Sequence, residues 1–246
     1  MGDRSPMGGE LQSITNDHGR GAVDSLIGWW LEAGVDVPVG ENPRDWLRRS
    51  DAPMPAAAAA AAVPVTAGLA ENLTAFQNWL ATGSGLPMDR SGAIRVAPCG
   101  IEGAKLMLLS DLPAREDAAE GKPIGGAAWA LTRRMLAAIE IEPEEAYVAS
   151  LACFHTPGAR LNGELEACAA IAHDHIRLAK PERLLLFGDA PARALLGEPL
   201  ARARGRIHRI EGVRAIATFH PRWLMDRPSD KALAWRDLLL LMSEKD

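Results

Sequence analysis

His220 is the side chain in this sequence whose setting points most directly to chemistry. It closes an apolar, β-branched run over residues 215–219, and Pro221 behind it cannot extend a β-ladder. The histidine is thereby delivered at the carboxyl end of a buried strand, where open α/β sheets assemble their ligand chemistry. Beyond it, Trp223, Leu224 and Met225 stand between Arg222 and Arg227. Apolar side chains flanked by guanidinium groups suit insertion into a base stack, with phosphates gripped on either side. The same residues also fit a core histidine followed by a loop whose Trp and Leu pack inward. This segment alone leaves both readings open.

Charge adds a second hint. The chain of 246 residues carries a formal net charge of −5, which argues against indiscriminate coating of nucleic acid. Within residues 201–227, however, Arg202, Arg204, Arg206, Arg209, Arg214, Arg222 and Arg227 face only Glu211 and Asp226. That segment nets +5 and the remainder −10. Such asymmetry predicts an anionic partner, DNA bound weakly through the 201–227 basic face; the bland alternative is a solvated arginine-rich hairpin.

The elements that must position these residues follow from pattern. Residues 1–50 read as an N-terminal helical extension, with apolar side chains at helical spacing over 22–33 ending at Gly34. Residues 51–68, with an unbroken alanine run between prolines, read as a linker that has no amphipathic face. A short helix over 71–81 carries Phe76, Trp79 and Leu80. From Gly92 onward strand and helix alternate. Strands are expected over 104–110, 146–152, 183–187 and 213–219, the last being the second arm of a hairpin begun at 206–210. Helices are expected over 127–139, 164–179, 190–196 and 230–242. Strands separated by helices of this length imply parallel pairing through right-handed crossovers. The expected fold class is α/β: a three-layer α/β/α sandwich with a small, mainly parallel four-stranded sheet, spanning 69–246.

Composition excludes several classes. Hydrophobic residues make up 48% and charged residues 24% of the chain, as in a soluble globular protein. No apolar stretch reaches the roughly 18 residues of a membrane span, and the N-terminus lacks the apolar region of a secretory signal. Cys99, Cys153 and Cys168 are too few and too scattered for a disulfide framework. They fit a reducing cytoplasm, where a monomer is expected.

This order of elements resembles the uracil-DNA glycosylase superfamily, especially its bacterial family-four branch, from about Leu69 to Ser243. Thr218-Phe219-His220-Pro221-Arg222-Trp223-Leu224-Met225 is similar to the family's strand–HPxxLL–helix end. Residues 110–126 resemble its Gly-Glu-x-Pro-Gly, acidic pair and Gly-x-Pro-Phe-x-Gly block. Residues 147–160 are similar to its Tyr-x-x-Asn strand and Pro-Pro-Gly turn, and 183–197 to a structural strand and helix.

The resemblance implies an enzyme that flips a damaged nucleotide out of DNA and hydrolyses its N-glycosidic bond. It assigns His220 to the departing anionic base and Asp111 to water or the cationic sugar. It lays Pro113, Ile124 and Ser150 around the base. Leu224 and Met225, beside Trp223, would fill the gap left by the flipped base, with Arg222 and Arg227 on phosphates. The chain departs from the family pattern at several of these positions. Asp111 replaces a glutamate, Ala114 a glycine, Ile124 the stacking phenylalanine and Ser150 the uracil-reading asparagine. A serine hydroxyl cannot make that bidentate pair. The expectation is a divergent DNA glycosylase acting on uracil or another deaminated or damaged base. The alternative is a non-catalytic relative that binds nucleic acid or protein.

The family's iron–sulfur cluster requires four cysteine thiolates. Cys168 falls on one ligand position, while Cys153 comes one residue before another, where Phe154 stands. The amino-terminal cysteine pair is absent, with Trp79 near one of its places. No cluster and no other cofactor is expected. Nor is a zinc site, because His173 and His175 are two apart on a helix and face different directions.

Overall fold

The computed structural model describes residues 70–158, 161 and 163–243, all within the second of two compact units, Ala58–Asp246. The helix expected over 22–33 and the linker over 51–68 lie outside the described residues. In chain order the elements are α1 (Leu73–Thr82), β1 (Ile94–Arg95), β2 (Leu106–Ser110), α2 (Arg115–Glu120) and α3 (Gly126–Ala137). Next come β3 (Ala146–Ser150), β4 (Phe154–His155), α4 (Leu165–Ala179), β5 (Arg183–Phe187), α5 (Asp189–Leu196) and α6 (Leu200–Ala203). The chain closes with β6 (His208–Ile210), β7 (Val213–Thr218), α7 (Pro221–Asp226) and α8 (Lys231–Met242).

The main sheet has the order β3-β2-β5-β7-β6. Its first four strands are parallel, in the registers Leu106↔Ala146, Met107↔Leu184 and Arg183↔Arg214. β6 pairs antiparallel with β7. The sheet therefore has five strands rather than four, because the first arm of the hairpin pairs as an edge strand. That edge is only three residues long, too short to invite pairing with another chain.

Strand alternation divides the core in two. Met107, Leu109, Tyr147, Ala149, Leu184, Leu186, Ala215 and Ala217 point to one face and pack with α1, α4 and α5. Leu106, Leu108, Ala146, Val148, Leu185, Phe187 and Ile216 point to the other and meet α3 and α8. Every residue of β2 is buried, as a central parallel strand covered on both faces requires. The result is the three-layer sandwich expected from the sequence. No helix among the described residues is long and apolar enough to cross a membrane.

Beneath α1 lies a buried polar relay. The Gln77 side-chain amide donates to the Tyr147 hydroxyl at 3.0 Å, which lies 2.7 Å from His175 Nε2. Burial pushes the His175 pKa down to about 3, so the ring is neutral and accepts the tyrosine proton. Tyr147→Phe strands the buried His175 Nε2 and leaves Gln77 only its contact to the Gly100 carbonyl, and should cost about 1–3 kcal/mol of stability. Urea unfolding would measure it, and an unchanged midpoint would mean that the relay contributes nothing.

Candidate active site

The parallel strands end side by side at Ser110, Ser150, Phe187 and Thr218. From β2 the chain crosses first to β3 on one side and later to β5 on the other. In open α/β sheets the point where crossovers diverge, above the carboxyl ends, is the usual ligand position. The segment after β2 carries Asp111, and the one after β7 carries His220.

His220 caps α7. Pro221 occupies the first helical turn, where no backbone N–H is needed. The Arg222 N–H donates to His220 Nδ1 at 3.1 Å, which places the proton of the neutral ring on Nε2. That Nε2 is buried without a hydrogen-bond partner. Phe187 stands edge-on to the imidazole, the ring centroids 5.9 Å apart. Burial, aided by the Arg222 cation and opposed by Asp117, pushes the His220 pKa down to about 4. The site thus holds a neutral, buried donor that no group among the described residues satisfies.

Asp111 sits in the same electrostatic field. Burial pushes its pKa up to about 6, with Arg222 and nearby backbone N–H groups pulling it down and Asp117 adding repulsion. At neutral pH it is chiefly a carboxylate, poised to hold a water or oppose positive charge. The Leu151 N–H donates to the Ser110 and Asp111 carbonyls at 2.8 and 3.1 Å, clipping the end of β3 to this segment.

Asp117 organises the surroundings and was not singled out by sequence. It is fully buried and accepts from the Ala114 N–H at 2.7 Å and the Gly125 N–H at 2.5 Å. It also takes a guanidinium N–H of Arg222. The signal for it was available as the carboxylate at the third position of α2 after its cap Ala114. His155, also missed, donates from Nδ1 to the Pro113 carbonyl at 2.9 Å and fixes that loop.

The remaining expected residues divide. Pro113 is buried beside the site through that contact. Ser150 lies 3.2 Å, hydroxyl to hydroxyl, from Ser110. Ile124 is 1% exposed and packs in the core with Phe187. Arg222, expected on phosphate, turns inward to Asp117. Leu224, expected as a wedge, is 1% exposed and lines an apolar groove with Leu131, Met135 and Leu238. Both corrections have one cause: residues 221–226 form a helix, not an extended loop. Successive side chains of that turn point in different directions around the helix axis; Leu224 is directed inward while Trp223 and Met225 are exposed, at 42% and 39%.

Trp223 is held in a column. Arg227 lies over its ring at 4.3 Å, and Phe219 stacks on it at 6.1 Å with 9° between planes. Arg204 caps Phe219 at 4.1 Å and is bound to buried Asp237, which also accepts from Thr218 Oγ1 at 2.7 Å. The basic segment is also less bare than its own charge count suggests. Arg204, Arg206 and Arg222 are matched by Asp237, Glu198 and Asp117, all from outside residues 201–227.

The sequence model of the uracil DNA glycosylase superfamily matches residues 98–239, more than half of the chain. The chain belongs to the uracil DNA glycosylase superfamily. It is 25% identical over 141 residues to the type-4 uracil-DNA glycosylase of Archaeoglobus fulgidus, an alignment covering 52% of this chain and 71% of that protein. It is 24% identical over 147 residues to the type-4 enzyme of Pyrobaculum aerophilum, covering 55% and 75%. His220 and Asp111 both fall inside the matched span.

The superfamily's cluster-bearing branch provides a test of the cysteines. Cys153 and Cys168 are buried, and burial pushes their thiols up to about 11 and about 12. Cluster ligands are thiolates. Cys99 is exposed. Among the described residues no three His, Cys, Asp or Glu side chains converge as a metal-binding group. His175 is taken by Tyr147, and His173 lies against Glu211 at 2.8 Å on the surface. The residues described do not fit a four-thiolate cluster.

Proposed function

We propose that this superfamily member is a DNA glycosylase that hydrolyses the N-glycosidic bond of uracil or another deaminated or damaged base. The supporting observation is the buried, unpartnered Nε2–H of His220 at the carboxyl edge of the sheet. Expelling a base from a deoxynucleotide leaves negative charge on the base and an oxocarbenium-like sugar. A neutral imidazole donates to the charged carbonyl oxygen without having to be protonated first. Asp111, as a carboxylate, orients the attacking water and opposes the charge on the sugar. Pro113 and Ser150 border the space for the base. The test is incubation with single- and double-stranded oligonucleotides carrying uracil, hypoxanthine, xanthine or hydroxymethyluracil, then alkaline cleavage at abasic sites. Cleavage that disappears in His220→Ala supports the proposal; no abasic site on any base overturns it.

One observation favours the alternative, a non-catalytic nucleic-acid or protein binding module: the Ser150 hydroxyl is already engaged by Ser110. DNA is the expected partner of the glycosylase and of a nucleic-acid binding module alike. Trp223 and Met225, rather than Leu224, are the exposed apolar side chains of this turn, Trp223 being held between Arg227 and Phe219 with its indole N–H donated to Asp230. Trp223→Ala should weaken duplex binding by about 1–3 kcal/mol, read by fluorescence anisotropy at fixed salt. Unchanged affinity would place the DNA contact elsewhere.

The proposal includes no iron–sulfur cluster. The purified protein should be colourless and contain no stoichiometric iron by elemental analysis; a visible cluster absorption band with bound iron would refute this.

A further inference from the structure

We infer that Arg222 is a positioning residue: anchored on buried Asp117, it latches the helix that carries His220 to the loop that carries Asp111 and supplies a cation that both groups face. The latch is built from three elements. Asp117 is fixed by the N–H groups of Ala114 and Gly125, at the two ends of the loop-and-helix segment after β2. Its remaining bond goes to the Arg222 guanidinium, across 105 residues of sequence. The Arg222 backbone N–H meanwhile fixes the tautomer of His220. One residue therefore sets the His220 proton through its main chain and ties the opposite wall through its side chain.

The buried carboxylate does not cancel the cation at the two functional groups. The charged groups acting on Asp111 are Arg222 and Asp117, and the same two act on His220. In both cases the arginine is the larger influence. His155, the other titratable group at this loop, faces the Pro113 carbonyl. Arg222 thus favours an ionised Asp111 and a neutral His220 together, which is the pairing that bond cleavage needs. The inference rests on the proposed function for its chemistry, but its primary test does not need turnover.

That test is a pH titration of the His220 imidazole by NMR in the full-length free protein, assigned by the loss of its signal in His220→Ala. In Arg222→Met the His220 midpoint should rise by about one pH unit or more, while Arg222→Lys should stay near the parent. Because Arg222→Met strands a buried carboxylate, Arg222→Met/Asp117→Asn is measured beside it; its midpoint should also rise, by less. If base release is detected, the acid limb of kcat/KM should move upward in Arg222→Met. A one-unit rise of the Asp111 midpoint from about 6 would lower the rate about fivefold at pH 6, with recovery at higher pH, and Arg222→Lys should restore the parent profile. A merely structural latch would lower the rate equally at all pH. A His220 midpoint unchanged in both methionine variants overturns the inference. A shifted midpoint in a protein inert on every base instead upholds the latch and refutes the glycosylase reading.

Discussion

Replacing His220 by alanine should lower the rate of base excision by on the order of a hundredfold or more, the usual cost of deleting one preorganised donor at a developing oxyanion. The size of the effect follows from the state of the ring. His220 donates as a neutral imidazole, because burial and Arg222 hold its pKa at about 4. Its Nε2–H is buried without a hydrogen-bond partner among the described residues. The donor therefore gains strength only as charge grows on the base, which is the condition for lowering the barrier rather than tightening the substrate complex. Single-turnover rates at saturating oligonucleotide isolate that step. His220→Ala should leave duplex affinity nearly unchanged, since Trp223 and Arg227 lie outside the pocket. A rate within threefold of the parent would remove His220 from the chemistry.

The fold was legible because its signals are local and redundant. β5 is all but fully apolar and was placed residue for residue, and helices α3, α4, α5 and α8 were located to within two residues at each end, whereas the short helices α6 and α7 were not expected. The edge strand β6 was seen as half of a hairpin, but its pairing depends on β7, not on its own three residues. The site was legible only in part. His220 and Asp111 could be found because each follows a strand, and strand ends are visible in the apolar pattern. Arg222 was misread because its partner is distant in sequence. A charge count over 201–227 cannot see Asp117, Glu198 or Asp237. Leu224 was misread because a six-residue helix capped by a histidine leaves almost no periodic signal. Phe187, edge-on to His220, was hidden in a strand whose other residues are simply core.

Asp111→Asn should slow base excision by on the order of a hundredfold and at the same time make the protein more stable at neutral pH. The amide can orient a water but cannot oppose positive charge on the sugar. Its effect on stability follows from the carboxyl's environment. Burial raises the Asp111 pKa to about 6, so between its ordinary value and pH 6 the native state holds a proton that the unfolded chain has released. Stability contributed by this group is present at low pH and is lost as pH rises through that window, a cost of roughly 3 kcal/mol by pH 7. His220 has the opposite sign. Its native pKa is depressed to about 4, so its contribution is present above its ordinary value and is lost as pH falls toward 4, by a similar amount. The two windows overlap, and in the parent protein the slopes nearly cancel between pH 4 and 6. Each single variant unmasks the other group. Unfolding midpoints of Asp111→Asn should rise with pH across this range, while those of His220→Ala should fall. The parent should be flat between them. Equal slopes in all three proteins would mean that neither group is held in the buried state from which its chemistry derives.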